Sequence, residues 1–355
     1  MKLPCHTATG TRPVENPLRH PRLFLYPVFF LLASLILLEI SVRVWGYSDG
    51  DIYDPIYMPF GDGKSIPFAH KPNLTHALAR SRTYIDTDSL GLRCLPVKEV
   101  LSRPGDAGFR IAFVGNSITF GQGVTTSESF PIVTAQALQS HSTERNILPR
   151  NFGVAGYSVR EMAWTVVLRT DAVDPNAILF CAGIEDFDTT RCGGVDKWGY
   201  NVNVALSGDF DKDSIFKRWL RSLHLSYVIR DLRRKYFAAH LPEVSITDNP
   251  VMQTQAPKSY HYVLLARDHA QSHHIPFYLV LLPSMAKHGG QFTGVAAQAK
   301  RDSLALIDLS YMGGMFAPEQ FAVSRFDAHP SADVHHAIGD SLAEALFRGG
   351  LLVKK

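Results

Sequence analysis

The longest apolar run of the chain lies near its N-terminus and reads LFLYPVFFLLASLILLEISVRVW, from Leu23 to Trp45. It carries no charge before Glu39, and its length is close to the roughly 20 residues that a bilayer-spanning helix needs. Glu39 and Arg43 lie four positions apart, so they can pair on one helical face near the interface, where Trp45 and Tyr47 also fit. We predict a transmembrane helix over residues 23–45, with a cleaved signal peptide and a buried core helix as alternatives.

Charges of opposite sign flank this segment. Basic residues precede it and acidic residues follow it, namely Lys2, Arg12, Arg19 and Arg22 before it and Asp49, Asp51 and Asp54 after it. Because positively charged flanks are retained in the cytoplasm, we expect residues 1–22 to be a cytoplasmic tail and the bulk of the chain to lie outside. A disulfide is allowed in that oxidising environment, and its candidate cysteines are Cys94, Cys181 and Cys192.

The pattern of apolar and polar residues after the N-terminal segment changes at residue 109. Residues 46–108 are rich in proline and glycine without a long amphipathic period, which predicts a stalk and loop-rich entry segment. From 109 to 355, strand and helix patterns alternate. Strands are predicted at FRIAFVG, RNFGVAG, NAILFCAG, IPFYLVLLPS and SLALIDLS, and helices at Glu128–Ser140, Ser158–Thr170, SYHYVLLARDHAQSHH and Ser331–Phe347. This alternation predicts one α/β domain, a three-layer sandwich with a central parallel sheet.

Residues 191–257 interrupt the alternation. They hold one predicted helix, Tyr227–His240, and we expect an insertion beside the functional site.

The composition of the chain argues against one class of function. The 355 residues are 46% hydrophobic and 19% charged, and a net charge of +3 without a basic-aromatic patch argues against nucleic-acid binding. The four cysteines show no metal-like CxxC spacing.

Small and polar residues follow the predicted strands at their carboxyl ends. They are Gly115, Asn116 and Ser117 after the first strand, Gly153 and Gly156 after the second, Gly183, Ile184, Glu185 and Asp186 after the third, and Asp327 and His329 before the last helix. Because ligands bind at the carboxyl ends of such strands, these residues should meet at one rim. A hydroxyl nucleophile, an imidazole base, an orienting carboxylate and backbone amides are the components of acyl transfer.

Four blocks of the sequence resemble, in order and roughly in spacing, those of the SGNH or GDSL hydrolase superfamily. VGNSITFGQGV resembles the first block and places Ser117 at the nucleophile position, and NFGVAGYS places Gly156 at the oxyanion glycine. AGIED lies where the family has Gly-x-Asn-Asp, and DAHPS resembles the last block, with Asp327 and His329. TDSLGLRC, FGQGVTTSESFP and SLHLSYVIRDLRR are similar to segments of the membrane-anchored bacterial branch. That branch implies an SGNH/flavodoxin-like fold and a bacterial inner-membrane location, with the domain periplasmic or extracellular.

The resemblance implies a catalytic mechanism. Ser117 would attack an ester carbonyl, His329 would take its proton and Asp327 would orient the imidazole. The backbone amides of Ser117 and Gly156 would hold the oxyanion. Two positions depart from the family pattern. The acid before the serine is Asn116 here, and the amide donor of the oxyanion hole is replaced by Glu185, whose carboxylate donates no hydrogen bond unless protonated. We predict that the Asn116 amide donates to the Glu185 carboxylate.

The sequence is consistent with three functions. The first is a membrane-anchored serine ester hydrolase acting on acyl or acetyl esters of glycans or lipids. The second is a degenerate, non-catalytic glycan-binding or assembly subunit, which Glu185 favours, and the third is an O-acyltransferase. A metal site is a further reading of FDAHPSADVHH, from Asp327, His329, Asp333, His335 and His336. Adjacent helical histidines point about 100° apart and the sequence shows no matching ligand cluster, so we predict neither a metal nor a cofactor.

Overall fold

An eight-stranded sheet forms the centre of the molecule. The computed structural model describes residues 21–47, 52–61, 63, 65–96, 108–141, 146–190, 193–203, 219, 222–238, 257–284 and 292–352. The described residues form fourteen strands, eight of which belong to this sheet. They are β1 (Tyr57–Pro59), β2 (Phe68–His70), β3 (Ala77–Ala79), β4 (Thr83–Thr87), β5 (Arg93–Cys94), β6 (Phe109–Gly115), β7 (Ile147–Asn151), β8 (Ala177–Ala182), β9 (Gly193–Val195), β10 (Asn201–Asn203), β11 (Phe277–Leu281), β12 (Ala305–Asp308), β13 (Ala322–Ser324) and β14 (Asp327–Pro330).

The order of the strands in this sheet is β12-β11-β8-β6-β7-β5-β4-β3. The five strands from β12 to β7 pair in parallel, and β5, β4 and β3 continue the sheet antiparallel at one edge. The predicted fold class, α/β with a central and mostly parallel sheet, is confirmed. β13 and β14 form a separate antiparallel pair.

Nine α-helices accompany the strands in the described part of the chain. They are α1 (Pro21–Trp45), α2 (Ser117–Phe120), α3 (Phe130–Ser140), α4 (Val159–Arg169), α5 (His224–Ala238), α6 (His261–Ser272), α7 (Thr293–Arg301), α8 (Pro318–Phe321) and α9 (Ala332–Arg348). The predicted helices of the α/β domain correspond to α3, α4, α6 and α9, and the helix predicted within the insertion corresponds to α5. All agree within a few residues, because long amphipathic periods are the strongest signal in a sequence.

Each face of the sheet packs against its own layer of helices. In β6, Ala112 and Val114 belong to a core with residues of α4, α6 and α7, whereas Ile111 and Phe113 belong to a second core with residues of α3 and α9. Alternate residues of a strand point to opposite faces, so a strand buried on both sides is apolar throughout. This explains why IAFVG in β6 and AILFCA in β8 are continuous apolar runs.

Residues 46–108, predicted to be a stalk and loop-rich segment, form short strands in the structure. Their described part contains β1 to β5, and β3, β4 and β5 extend the central sheet. The prediction failed because these strands have only two to five residues, which is too short for a visible alternation of apolar and polar positions. The segment is an integral edge of the α/β domain.

Helix α1 is the apolar segment predicted to span a membrane. Residues Leu25–Trp45 have a mean hydropathy of 2.2, and only 6% of the apolar window is buried against the rest of the molecule. By length and composition this helix fits both a membrane span and a signal sequence. The expected pairing of Arg43 with Glu39 is present, with Nε and Oε1 2.7 Å apart.

Candidate active site

The nucleophile candidate lies on a sharp bend between β6 and α2. Asn116 is the N-cap of α2, and its Oδ1 accepts a hydrogen bond of 2.8 Å from the amide of Ile118. Ser117 is therefore the first helical residue. Two glycines permit the tight packing below it, because a Cβ on Gly115 would lie 1.9 Å from Thr119 Oγ1 and one on Gly153 would lie 2.2 Å from the amide nitrogen of Phe120. The loop after β7, which contains Gly153, can thus pack directly against the turn that carries Ser117.

The structure brings Ser117, His329 and Asp327 together. Ser117 Oγ lies 2.8 Å from Nε2 of His329, and Nδ1 of the same ring lies 2.5 Å from Asp327 Oδ1. An ionised carboxylate accepts only, so Nδ1 carries the proton and Nε2 presents its lone pair to the serine hydroxyl. Asp327 and His329 both lie on strand β14, as their two-residue spacing required. This geometry suits proton transfer from the serine to the imidazole.

The carboxylate of Asp327 is held from two sides. Its Oδ1 also accepts a hydrogen bond of 3.0 Å from the backbone amide of His329, and its Oδ2 accepts one from the hydroxyl of Ser81. Burial alone would raise the pKa of Asp327, but the hydrogen bonds and charge of His329 and the Ser81 hydroxyl outweigh it and hold the pKa well below its usual range. Asp327 is therefore an anion whenever the protein is folded near neutral pH.

The predicted hydrogen bond between Asn116 and Glu185 is wrong. Asn116 Nδ2 donates instead to Oδ1 of Asp186 at 2.6 Å, and Asp186 Oδ2 accepts from the Gly183 amide at 2.8 Å. The cause is the short 3₁₀ turn Ile184–Phe187, in which Asp186 folds back to cap the turn. The partner of the Asn116 amide is therefore Asp186, the second acid of the AGIED block.

Glu185 is left as a carboxylate at the pocket wall. It lines the same pocket as Ser117 and Gly156, together with Asn116 and Asp186. Its Oε2 would lie 3.1 Å from a Cβ built on Gly183, so the side chain turns towards its own loop. An ionised carboxylate at this position accepts hydrogen bonds and donates none to the pocket.

Two backbone amides, those of Ser117 and Gly156, are the candidate oxyanion donors. Neither the Ser117 amide nor the Gly156 amide has a hydrogen-bond partner within the described residues. The insertion contributes here through strand β10, since Asn201 Nδ2 donates to the carbonyl of Ala155 at 2.9 Å. In a trans peptide the carbonyl and the next amide point in opposite directions, so this bond fixes the direction of the Gly156 N–H.

A buried arginine holds the loop after the nucleophile. Arg93 of strand β5 is 2% exposed, and its guanidinium donates to the carbonyls of Phe120, Gly121 and Val124 at 2.7, 2.6 and 2.7 Å. Its Nε donates to Thr126 Oγ1 at 3.0 Å. Burial lowers the pKa of this guanidinium to about 9. The segment predicted to be a stalk thus supplies both Arg93 and Ser81.

Ser117, Gly156, Glu185, Asp327 and His329 line a pocket of about 400 Å³. Sequence reasoning identified Ser117, His329, Asp327 and Gly156, but it missed the residues that support them. Ser81, Arg93 and Asn201 lie in segments predicted to be a stalk or an insertion. Arg93 belongs to the TDSLGLRC segment, but the sequence assigned no role to any of the three. Phe326, at the turn between β13 and β14, forms another part of the pocket wall. Only the chain topology brings these positions to the site.

The residues considered as metal ligands do not form a cluster. His335 is buried, its Nδ1 accepts from the Phe130 amide at 3.2 Å, and burial lowers its pKa to about 3. In the described residues one group could hold a metal ion, formed by Asp171, His269 and His273. These lie next to the amino ends of β8 and β11, at the edge of the sheet opposite the pocket.

Two of the candidate disulfide cysteines are free thiols. Cys181 is buried in β8, and Cys94 lies partly exposed in β5. Burial raises the pKa of the Cys94 thiol to about 11. Cys192 lies outside the described residues.

Comparison with known proteins gave matches among solved structures. No protein-family profile and no curated protein sequence matches the chain. Among solved structures, it resembles a lipolytic protein of the G-D-S-L family from Veillonella parvula (14% identity, 67% of this chain and 98% of that chain, TM-score 0.38). It also resembles an acetyl xylan esterase from Geobacillus stearothermophilus (15% identity, 70% and 98%, TM-score 0.39). At this level of identity these are likenesses to the fold of a G-D-S-L lipolytic protein and of an acetyl xylan esterase.

Proposed function

We propose that the chain is a membrane-anchored serine ester hydrolase of the SGNH type that acts outside the cytoplasm. The observation that supports this most directly is the contact series from Ser117 through His329 to Asp327, with both ring nitrogens engaged at 2.8 and 2.5 Å. A structural turn serine would need no such base, and a structural histidine would need no such carboxylate. The substrates are acyl or acetyl esters of glycans or lipids.

The proposed reaction begins at Ser117. Its oxygen bonds to the ester carbonyl carbon while its proton passes to Nε2 of His329, and Asp327 stabilises the imidazolium. The amides of Ser117 and Gly156 hold the oxyanion. His329 then protonates the leaving alcohol, which leaves an acyl-serine. Water, deprotonated by His329, attacks that ester, so that the acid product departs and Ser117 regains its proton.

Anchoring is part of the proposal. The charge difference across α1 supports a cytoplasmic tail over residues 1–22, a single span in a bacterial inner membrane and a periplasmic or extracellular domain. A periplasm-dependent reporter fused after Lys355 should be active, whereas activity of a cytoplasm-dependent reporter would contradict the orientation.

Covalent labelling tests the esterase proposal. A fluorophosphonate probe should label the wild-type protein, and Ser117→Ala should abolish labelling. Ser331→Ala is the matched control, because Ser331 lies two residues from His329 but its hydroxyl donates to the Gln320 carbonyl, away from the pocket. Labelling that persists in Ser117→Ala would refute the assignment of the nucleophile.

Glu185 favours a second candidate, a non-catalytic glycan-binding or assembly subunit. A carboxylate beside the oxyanion site opposes the charge that develops there, and losing one donor typically costs about 10²–10³ in rate. This candidate predicts neither probe labelling nor acetate release from simple esters. An O-acyltransferase differs from both, because ester cleavage would accelerate when an acceptor sugar is added.

A further inference from the structure

The pocket is joined directly to the exit end of helix α1. Trp45 and Tyr47, at the end of that helix, pack against Phe326 with ring centroids 5.4 and 5.1 Å apart. Phe326 lines the pocket and immediately precedes Asp327. The Arg325 guanidinium covers the Trp45 ring at 5.1 Å. The wall of the candidate active site is therefore built on the anchor itself.

A second connection runs from the anchor to the same carboxylate. Arg82 Nη2 donates to the carbonyl of Arg43 in the last turn of α1 at 2.9 Å. Its neighbour Ser81 donates to Asp327. Both connections hold one wall of the pocket against the last turn of α1.

The depth of that turn follows from the helix itself. Twenty-one residues from Leu25 to Trp45, at 1.5 Å each, give roughly 31 Å, close to the ~30 Å of a hydrocarbon core. Trp45 thus lies at the interface, where Trp and Tyr are enriched. Phe326 is 39% exposed beside it. The pocket opening is consequently at headgroup level.

Helix α5 from the insertion is bound to the same end of α1. Glu39 accepts hydrogen bonds from the amides of His224 and Leu225 at 2.9 and 2.8 Å, so it caps the first turn of α5. Tyr47 donates to Asp231 at 3.3 Å. These contacts place α5 alongside the last turns of a span that lipid surrounds.

Apolar side chains of α5 remain exposed in this position. Ile229 and Leu232, three residues apart on one face, are 58% and 62% exposed. The sequence of α5, HLSYVIRDLRRKYFA, holds more basic than acidic residues. The contacts with Glu39 and Tyr47 advance in the same direction along both helices, so α5 runs alongside the end of α1. This direction carries Ile229 and Leu232 towards the level of Trp45. Apolar and basic side chains at that level fit the interface of an anionic membrane. The continuity of α5 with the span identifies the bilayer as the partner of this face.

We propose that α5 lies in the membrane interface and that the pocket acts on esters carried by lipids or lipid-linked molecules of that membrane. This inference rests on the proposed esterase function and narrows its substrate class. A lipid-borne ester would reach Ser117 along the surface formed by Trp45 and Phe326, without leaving the bilayer.

Two acetate esters that differ only in their alcohol test the substrate class. Full-length protein in phosphatidylcholine–phosphatidylglycerol vesicles should release acetate from hexadecyl acetate, which partitions into the bilayer, at least about tenfold faster than from ethyl acetate at equal concentration. Ile229→Asp combined with Leu232→Asp should remove that preference and leave ethyl acetate turnover unchanged. Leu168→Asp, at an equally exposed leucine of α4 (54%), should change neither rate.

Equal rates for the two esters in the wild type, or equal losses on both in the double variant, would overturn the inference. An independent measurement needs no destabilising change: Ile229→Trp should show additional fluorescence quenching by brominated lipids compared with the wild type. Unchanged quenching would also overturn it. Failure of the esterase proposal looks different, since neither ester would then release acetate and no fluorophosphonate would label Ser117, whatever the quenching at position 229.

Discussion

The hydroxyl of Ser81 donates a hydrogen bond to Asp327 across 246 positions of sequence. Ser81 lies in a short 3₁₀ turn at the antiparallel edge of the sheet, with a φ of 60°. A non-glycine residue in this region of φ is uncommon and is kept where the surrounding structure determines it. The carboxylate of Asp327, the acid of the proposed triad, is thus oriented by a segment that precedes the whole α/β alternation.

Removing this hydroxyl should weaken catalysis without removing it. Ser81→Ala frees one oxygen of Asp327, so the imidazole is less well oriented, and we expect kcat for a soluble acetate ester to fall about tenfold, or roughly 1.4 kcal/mol. KM should stay within twofold, because Ser81 does not line the pocket. Ser140→Ala, which removes a hydroxyl at the exposed end of α3, is the control. A Ser81→Ala enzyme with unchanged kcat would show that the contact is not used.

The low pKa of Asp327 predicts a pH dependence of stability. Because the folded pKa lies below the unfolded value of about 3.9, the carboxylate stabilises the fold fully above about pH 5 and loses that effect as the pH falls. The difference in unfolding free energy between the wild type and Asp327→Asn should therefore shrink between pH 6 and pH 3. Urea unfolding at each pH measures it, and a difference that is constant across this range would contradict the assigned ionisation.

Replacing Glu185 should increase turnover. Glu185→Asn introduces an amide donor and removes a charge that opposes the oxyanion, so we expect kcat to rise about tenfold or more, within the 10²–10³ that one donor is worth. Glu185→Ala removes only the charge and should give a smaller increase. Steady-state kinetics on ethyl acetate distinguishes them. If Glu185→Asn abolishes turnover, the carboxylate has a positive role that the esterase proposal lacks.

Asn201 should act as a positioning residue. Asn201→Ala frees the Ala155–Gly156 peptide, so the Gly156 amide, the proposed oxyanion donor, loses its fixed direction. We expect kcat to fall about tenfold with KM nearly unchanged. Asn201→Gln keeps the donor and should recover part of the rate. The control is Asn176→Ala, because Asn176 bonds the backbone of Arg110 at the opposite edge of the sheet. A loss in KM alone would instead assign Asn201 to substrate binding.

Arg93 should be important for stability. The ammonium group of Arg93→Lys cannot donate to all three carbonyls and Thr126 as the planar guanidinium does. Each buried group left without a hydrogen bond lowers the free energy of unfolding by about 1–3 kcal/mol. We expect a loss of about 3 kcal/mol in the free energy of unfolding. Arg110→Lys, whose ion pair with Asp174 is exposed, should cost at most about 1 kcal/mol. Similar losses in the two variants would refute a special role for Arg93.

Sequence alone determined the parts of this protein whose physical signal is local. The strands buried on both faces, the long amphipathic helices and the apolar N-terminal helix each repeat one pattern over many residues, so α1, α3, α4, α6 and α9 were predictable. The blocks containing Ser117 and the Asp327–His329 pair were also visible, because a nucleophile turn and a two-residue spacing on one strand are local features.

Tertiary structure decided which side chains meet across long distances in sequence. Strands of two to five residues carry too short a pattern to predict, and so the edge that delivers Ser81 and Arg93 looked like a stalk. Asn116 bonds Asp186 and not Glu185 because a single 3₁₀ turn rotates two neighbouring acids in different directions. The contact of Trp45 with Phe326 likewise depends on how α1 meets the β13–β14 turn. Such pairings depend on the packing of the whole chain, since no local pattern encodes the partner of a side chain hundreds of residues away.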